Sequence, residues 1–236
     1  MKILLTLSLL FFTTIGFSET NVLHLDSTYL GENLVINANH YTNSGDNETV
    51  AISIHGTRGF KTMEVISVLS DNLLDLNIDT IAPNISYGVN DRVNDFLSCD
   101  MKHLHNQYAN IDEIIKWFLF AVEKDYKNII LIGHSRGGQD IIQAYKKILK
   151  LYPGESKKIS TIILLAPLAD NTDEINNSLQ KSHGITIKEL LSKDENAFAK
   201  INFLNCRNAT VKISSFLSYY NLPRHEQLIP MLKDID

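Results

Sequence analysis

Apolar residues change their spacing several times along this chain, and each change predicts an element. Short apolar clusters at 34–38 and 50–55, separated by Asn43-Ser44-Gly45-Asp46-Asn47, predict two strands with a turn between them. Met63, Val65, Ile66, Leu69, Leu73, Leu74 and Leu76 recur at helical spacing over 62–76. Asp79-Thr80-Ile81-Ala82 reads as a short strand stopped by Pro83, followed by an irregular polar stretch from 84 to 105. Ile111, Ile114, Ile115, Phe118, Leu119 and Val122 then mark a helix ending near Lys127. Asn128-Ile129-Ile130-Leu131-Ile132 predicts a buried strand, and a helix over about 139–151 ends at Pro153-Gly154. The continuous run Thr161-Ile162-Ile163-Leu164-Leu165-Ala166 is expected of a strand covered on both faces. Beyond Pro167 the pattern weakens to helical pieces at 185–192, 213–220 and 226–233, with a further strand only at 201–204. Strands alternating with helices predict an α/β class fold, doubly wound around a mostly parallel sheet. Reactive groups then belong at the carboxyl ends of the strands, where His55, Ser135 and Pro167 fall.

The first 18 residues do not join that pattern. Lys2, the apolar stretch 3–12 and the small residues Gly16 and Ser18 predict a secretory signal over 1–18. The apolar stretch is short for a span of about 20 residues, so no stable membrane span is expected once it is removed. Residues 19–236 would then be an exported domain, periplasmic or secreted. Lys and Arg number 22 against 27 Asp and Glu, which gives no basic footprint for nucleic acid. Cys99 and Cys206 are the two cysteines. In an exported chain they can form one disulfide or remain buried thiols, and their spacing does not decide which.

One motif adds chemistry to the predicted fold. Directly after the strand ending at Ile132 comes Gly133-His134-Ser135-Arg136-Gly137-Gly138, and a helix follows. Strand, Gly-x-Ser-x-Gly, helix is the nucleophile elbow of α/β-hydrolases, with Ser135 as nucleophile. A serine hydroxyl needs a base to take its proton. The oxyanion that forms needs preorganised donors. The Arg136 amide, at the start of the following helix, is one candidate donor. The loop His55-Gly56-Thr57-Arg58-Gly59, after the strand 50–55, offers the Thr57 or Arg58 amide as the second. His55 itself reads as a turn-stabilising residue. Such chemistry requires no metal or organic cofactor.

His-Gly-Thr-Arg, Gly-His-Ser-Arg-Gly-Gly and Leu-Leu-Ala-Pro together resemble a bacterial α/β-hydrolase serine enzyme. Asp91-Arg92, Cys99-Asp100, His103-x-His105, Asp112-Glu113-Ile114, Phe203-Leu204-Asn205-Cys206 and Ser215-Phe216-Leu217-Ser218-Tyr219-Tyr220 are similar to an exported subgroup of that superfamily. The resemblance covers roughly residues 50–230 and implies a serine esterase acting on a small-molecule acyl substrate. It also implies a strand ending in an acid and a later loop carrying the histidine, in the order Ser, acid, His. No such acid-bearing strand is visible before Asp236. Two completions are open. The fold is C-terminally shortened relative to the family, or His225 serves as base with Asp170 or Asp173 as acid. Accordingly the alternative to an esterase is a non-catalytic, hydrolase-like binding module. His103 and His105 suit a metal only weakly, lacking an evident third ligand. Asp91-Arg92 reads as an ion pair or loop anchor. Nothing in the pattern sets the oligomeric state.

Overall fold

The computed structural model describes residues 19–43, 45, 47–169 and 171–233. The expected signal segment 1–18 and the candidate acid Asp170 lie outside the described residues.

The larger sheet has six strands: β1 (Glu19–Tyr29), β2 (Glu32–Thr42), β3 (Thr49–Ile54), β4 (Asp79–Asn84), β6 (Asn128–His134) and β7 (Ile159–Leu165). A smaller sheet holds β5 (Lys102–His103), β8 (Phe198–Phe203) and β9 (Cys206–Lys212). The helices are α1 (Glu64–Asp75), α2 (Gln107–Glu123), α3 (Arg136–Leu151), α4 (Thr172–His183), α5 (Ile187–Leu191), α6 (Ile213–Tyr220) and α7 (Leu228–Lys233). Strand order in the larger sheet is β1-β2-β4-β3-β6-β7. β4, β3, β6 and β7 run parallel, and the β1–β2 hairpin joins antiparallel through β2 and β4. This is the mostly parallel α/β sheet that the alternating pattern predicts.

Burial explains the order. Val50, Ile52 and Ile54 of β3, Ile81 of β4 and Ile129 and Leu131 of β6 share one core with α2 and α3. Trp117 and Phe118 of α2 fill it with no exposed surface. Full burial of an aromatic side chain is among the larger single contributions a core receives. On α1 the turn-spaced Ile66 packs against Tyr41 and Ala82, a second apolar cluster.

The structure departs from the periodicity in five places. β4 inserts between β2 and β3, so the polar stretch at 43–47 does not make a hairpin, and β4 runs on through Pro83. β1, unforeseen, buries only Ser27 and Tyr29, so its alternation is thinly apolar. α4 is equally obscure in sequence because Leu179 is its one buried side chain. It is held instead by its ends, with Asn171 capping Asp173 and Glu174 and Gly184 in the left-handed region. β9 pairs with β8 across a register shift between Ile201 and Phe203, which breaks the period-two signal. The apolar run 161–166, expected to be covered on both faces, is instead the last strand of the sheet. β7 is only partly buried because no further strand pairs with it among the described residues.

Cys99 and Cys206 form a disulfide with Cα atoms 5.4 Å apart. It ties the loop before β5 to the start of β9, and so joins the irregular stretch 84–105 to the smaller sheet.

Candidate active site

Ser135 sits between β6 and α3 with φ 54° and ψ −121°. A non-glycine residue there is strained, and the surroundings hold it in place. Its amide donates to Leu165 O at 2.9 Å. Its carbonyl accepts from Gly138 N at 3.0 Å and Leu168 N at 2.9 Å. The end of β7, the loop after it and the first turn of α3 are thus bonded to Ser135 itself. A Cβ on Gly137 would lie 2.6 Å from the carbonyl oxygens of Ile54 and His55, so only glycine lets α3 approach β3 this closely.

The His55–Gly59 turn reaches the same point from β3. A Cβ on Gly56 would stand 3.1 Å from Ser135 Cβ, which places the turn directly against Ser135. Gly59 N donates to Gly56 O at 3.0 Å and closes the turn. Its two candidate oxyanion donors separate here. The Arg58 amide donates to Tyr87 Oη at 3.2 Å, whereas the Thr57 amide donates to no protein acceptor among the described residues. Arg136 opens α3, and the first amides of a helix have no intrahelical acceptor. Its side chain is buried, with the guanidinium 5.5 Å from the Tyr219 ring centre and 5.6 Å from that of Tyr220.

Arg92 holds this loop in shape. Its guanidinium donates to Arg58 O at 3.2 Å, Gly59 O at 2.7 Å, Ile85 O at 2.9 Å and Asp95 O at 2.6 Å. Asp91 turns the other way, to His24 and Asn37, so the pair is a loop anchor rather than an ion pair. Arg58 in turn donates from Nη1 to Leu97 O at 2.5 Å and Cys99 Sγ at 3.1 Å, which links the turn to the disulfide.

His55 is a structural residue, as its position after β3 predicts. Nδ1 bonds Gly56 O at 2.9 Å and Nε2 accepts from Ile85 N at 3.2 Å. Burial, followed by the nearby Arg92 charge, lowers its pKa to about 3, so it remains neutral with both nitrogens engaged. His103 and His105 belong to a buried chain. His105 Nδ1 meets Tyr219 Oη at 2.8 Å and its Nε2 meets His103 Nδ1 at 3.1 Å, while Asn110 donates to Tyr219 Oη at 2.6 Å. Burial, then His103, holds His105 well below the usual histidine range. No group of three His, Cys, Asp or Glu suited to a metal occurs among the described residues.

The structure does not bring His225 or Asp173 to Ser135. His225 lies in the 3₁₀ turn Arg224–Glu226 with its side chain 77% exposed. That turn packs on the middle of α3, where Gln143 donates to Glu226 O at 3.0 Å. Gln143 is eight residues beyond Ser135, about 12 Å along a helix. Asp173 is exposed in the first turn of α4, and its amide is capped by Asn171. Among the described residues no histidine or carboxylate bonds Ser135 Oγ.

Two buried residues were given no role by the sequence: Tyr87, which occupies the Arg58 amide, and Glu113 on α2. Glu113 accepts from Ser86 N at 2.9 Å and from Ser86 Oγ. Burial raises its carboxyl to about 7, against the lowering effect of those bonds and of Arg92. The folded protein therefore holds this proton more tightly than the unfolded chain, whose carboxyl titrates near 4.5. Its contribution to stability is complete below about pH 4.5 and is lost as pH rises through about 7. We expect Glu113→Gln to flatten that fall, measured as urea unfolding free energies at about pH 5 and about pH 8. An unchanged difference between the two pH values would refute the assignment.

Sheet order, elbow and the turn beside it together specify one architecture. A protein named as a hydrolase from Agrobacterium vitis S4 superposes with TM-score 0.53 at 14% identity, over 78% of this chain and 65% of its own. Est1E from Butyrivibrio proteoclasticus superposes with TM-score 0.54 at 16% identity, over 85% and 70%. This chain has the α/β-hydrolase fold. Esterase Est22, in a structure with p-nitrophenol, shares the α/β-hydrolase fold at TM-score 0.51 and 12% identity, over 64% of this chain and 45% of its own. The chain thus spans about two thirds of the length of the first of these and less than half of the last. No protein-family model and no curated protein matches the sequence.

Proposed function

We propose that this protein is an α/β-hydrolase-type serine hydrolase that cleaves an ester or related acyl bond of a small molecule. The observation that supports the reading is the strained Ser135 turn with Gly56 pressed against it, which sets Ser135 beside the Thr57 turn at the start of α3. Ser135 Oγ gives its proton to a base and attacks the acyl carbon while the Thr57 and Arg136 amides stabilise the oxyanion; the ester C–O bond breaks as the alcohol leaves with that proton, and water then releases the acyl group as the acid. Fold neighbours named as a hydrolase and an esterase support the class. Export fits the disulfide, since such bonds persist in oxidising compartments.

His225 as base, with Asp170 as acid, remains part of this reading only if the 3₁₀ turn moves to Ser135. The second reading, a hydrolase-like binding module, is favoured by the absence of a histidine bonded to Ser135 among the described residues. A fluorophosphonate probe separates them. We expect labelling of the wild type and none of Ser135→Ala. Labelling that survives His225→Ala removes His225 as base. A wild type that resists the probe removes the hydrolase reading altogether.

A further inference from the structure

Two phenylalanines stand edge to face beside the candidate oxyanion turn. Phe60 and Phe96 have ring centres 5.3 Å apart at an interplanar angle of 88°. Neither belongs to any of the buried apolar clusters formed by the described residues. Phe96 is 52% exposed and Val93, on the same segment, 75%, while Phe60 is partly buried. The pair therefore keeps open apolar surface, unlike a ring pair inside the core. Exposed apolar side chains that cluster, rather than scatter, mark a binding surface.

The chain fixes where this surface lies. Phe60 is three residues beyond Thr57, so its Cα is within about 11 Å of that oxyanion donor. Leu97 N donates to Arg58 O at 3.0 Å, which brings the neighbouring Phe96 to the same turn. The buried Arg92 guanidinium clamps both backbones. It donates to Gly59 O, immediately before Phe60, and to Asp95 O, immediately before Phe96. Phe96 N also donates to Asp95 Oδ1 at 2.7 Å. One side chain thus sets the two rings against each other before any ligand arrives, which removes part of the ordering cost of binding.

We propose that Phe60 and Phe96 form the platform on which the apolar part of the ester rests, a group of about one aromatic ring. They would then determine specificity at the Ser135 site. An ester whose carbonyl oxygen meets the Thr57 amide has its substituents within reach of the pair, and a ring laid on Phe96 extends the edge-to-face arrangement. The exposed Asp95 carboxylate beside Phe96 opposes negative charge there, so the group is uncharged. This specificity rests on the hydrolase reading, but binding of the ring is measurable without turnover.

Ser135→Ala, which lacks the nucleophile, is titrated calorimetrically with methyl 3-phenylpropionate, benzyl acetate and methyl acetate. We expect saturable binding of a ring ester, at least about tenfold tighter than methyl acetate. Whether the phenylpropionate or the benzyl ester binds shows on which side of the carbonyl the ring sits. Adding Phe96→Ala should weaken the ring ester about tenfold, and this exposed side chain can be removed without disturbing the core. With Ser135 intact, Phe96→Ala should raise KM for the ring ester about tenfold and leave kcat and methyl acetate hydrolysis unchanged. No preference for either ring ester over methyl acetate, or indifference to Phe96→Ala, would overturn the proposal even if the wild type hydrolyses methyl acetate. A wild type that hydrolyses none of the three, while Ser135→Ala binds a ring ester through Phe96, would overturn the hydrolase reading and leave the platform standing.

Discussion

Serine at both Cys99 and Cys206 is expected to lower the unfolding free energy by about 2–5 kcal/mol, the range for removing a native disulfide. The bond spans 107 residues of sequence, and closing so long a loop restricts the unfolded chain strongly. In the folded state it joins β9 to a segment that already holds the candidate oxyanion turn, through Arg58 Nη1 to Leu97 O and Cys99 Sγ. Loss of the bond should therefore reach beyond the smaller sheet. Urea unfolding of the wild type with and without reductant, beside the double variant, measures the effect. The oxidised wild type should stand apart, and the reduced wild type should match the variant. Equal midpoints for all three would show that the disulfide contributes nothing.

Gly137→Ala should be strongly destabilising. The added carbon would meet two main-chain carbonyl oxygens at 2.6 Å, and backbone atoms of a central strand cannot turn aside. Overpacking of this kind typically costs about 1–3 kcal/mol, and a clash with backbone belongs at the upper end. Relief requires α3 to retreat from β3, which would also move Ser135 away from the Thr57 turn. Gly154→Ala is the control: its Cβ meets nothing within 4 Å and its φ of −72° suits alanine, so stability should hold or rise slightly. Chemical unfolding of both variants gives the comparison. Equal stability of the two would contradict the close approach described for the elbow.

The elbow was legible because all its requirements are local. A buried strand, two glycines around a serine and a helix start lie within about 20 consecutive residues, and each is a residue type with a steric reason to be there. The His55–Gly59 turn was legible for the same reason, as a glycine after a buried strand. The choice between its two amides was not. It depends on Tyr87, 29 residues away, whose hydroxyl takes the Arg58 amide. Similarly, Asp91-Arg92 reads in sequence as an ion pair or a loop anchor, and the choice depends on carbonyls that Arg92 gathers from 58, 59, 85 and 95. α4 and β9 went unseen because one is held by its caps and the other is broken by a register shift.

Sequence alone therefore determined the α/β alternation, the strand–turn–helix elbow at Ser135 and the position of the His55–Gly59 turn, since periodicity and glycine sterics act over a few residues. It left open whether Cys99 meets Cys206, and it offered His225 as a base from order along the chain alone. Only the tertiary structure decided these matters. It closed the disulfide, put His225 beside Gln143 rather than Ser135, and set Phe60 against Phe96. Such juxtapositions follow from how sheets and helices pack, and no spacing along the chain encodes them.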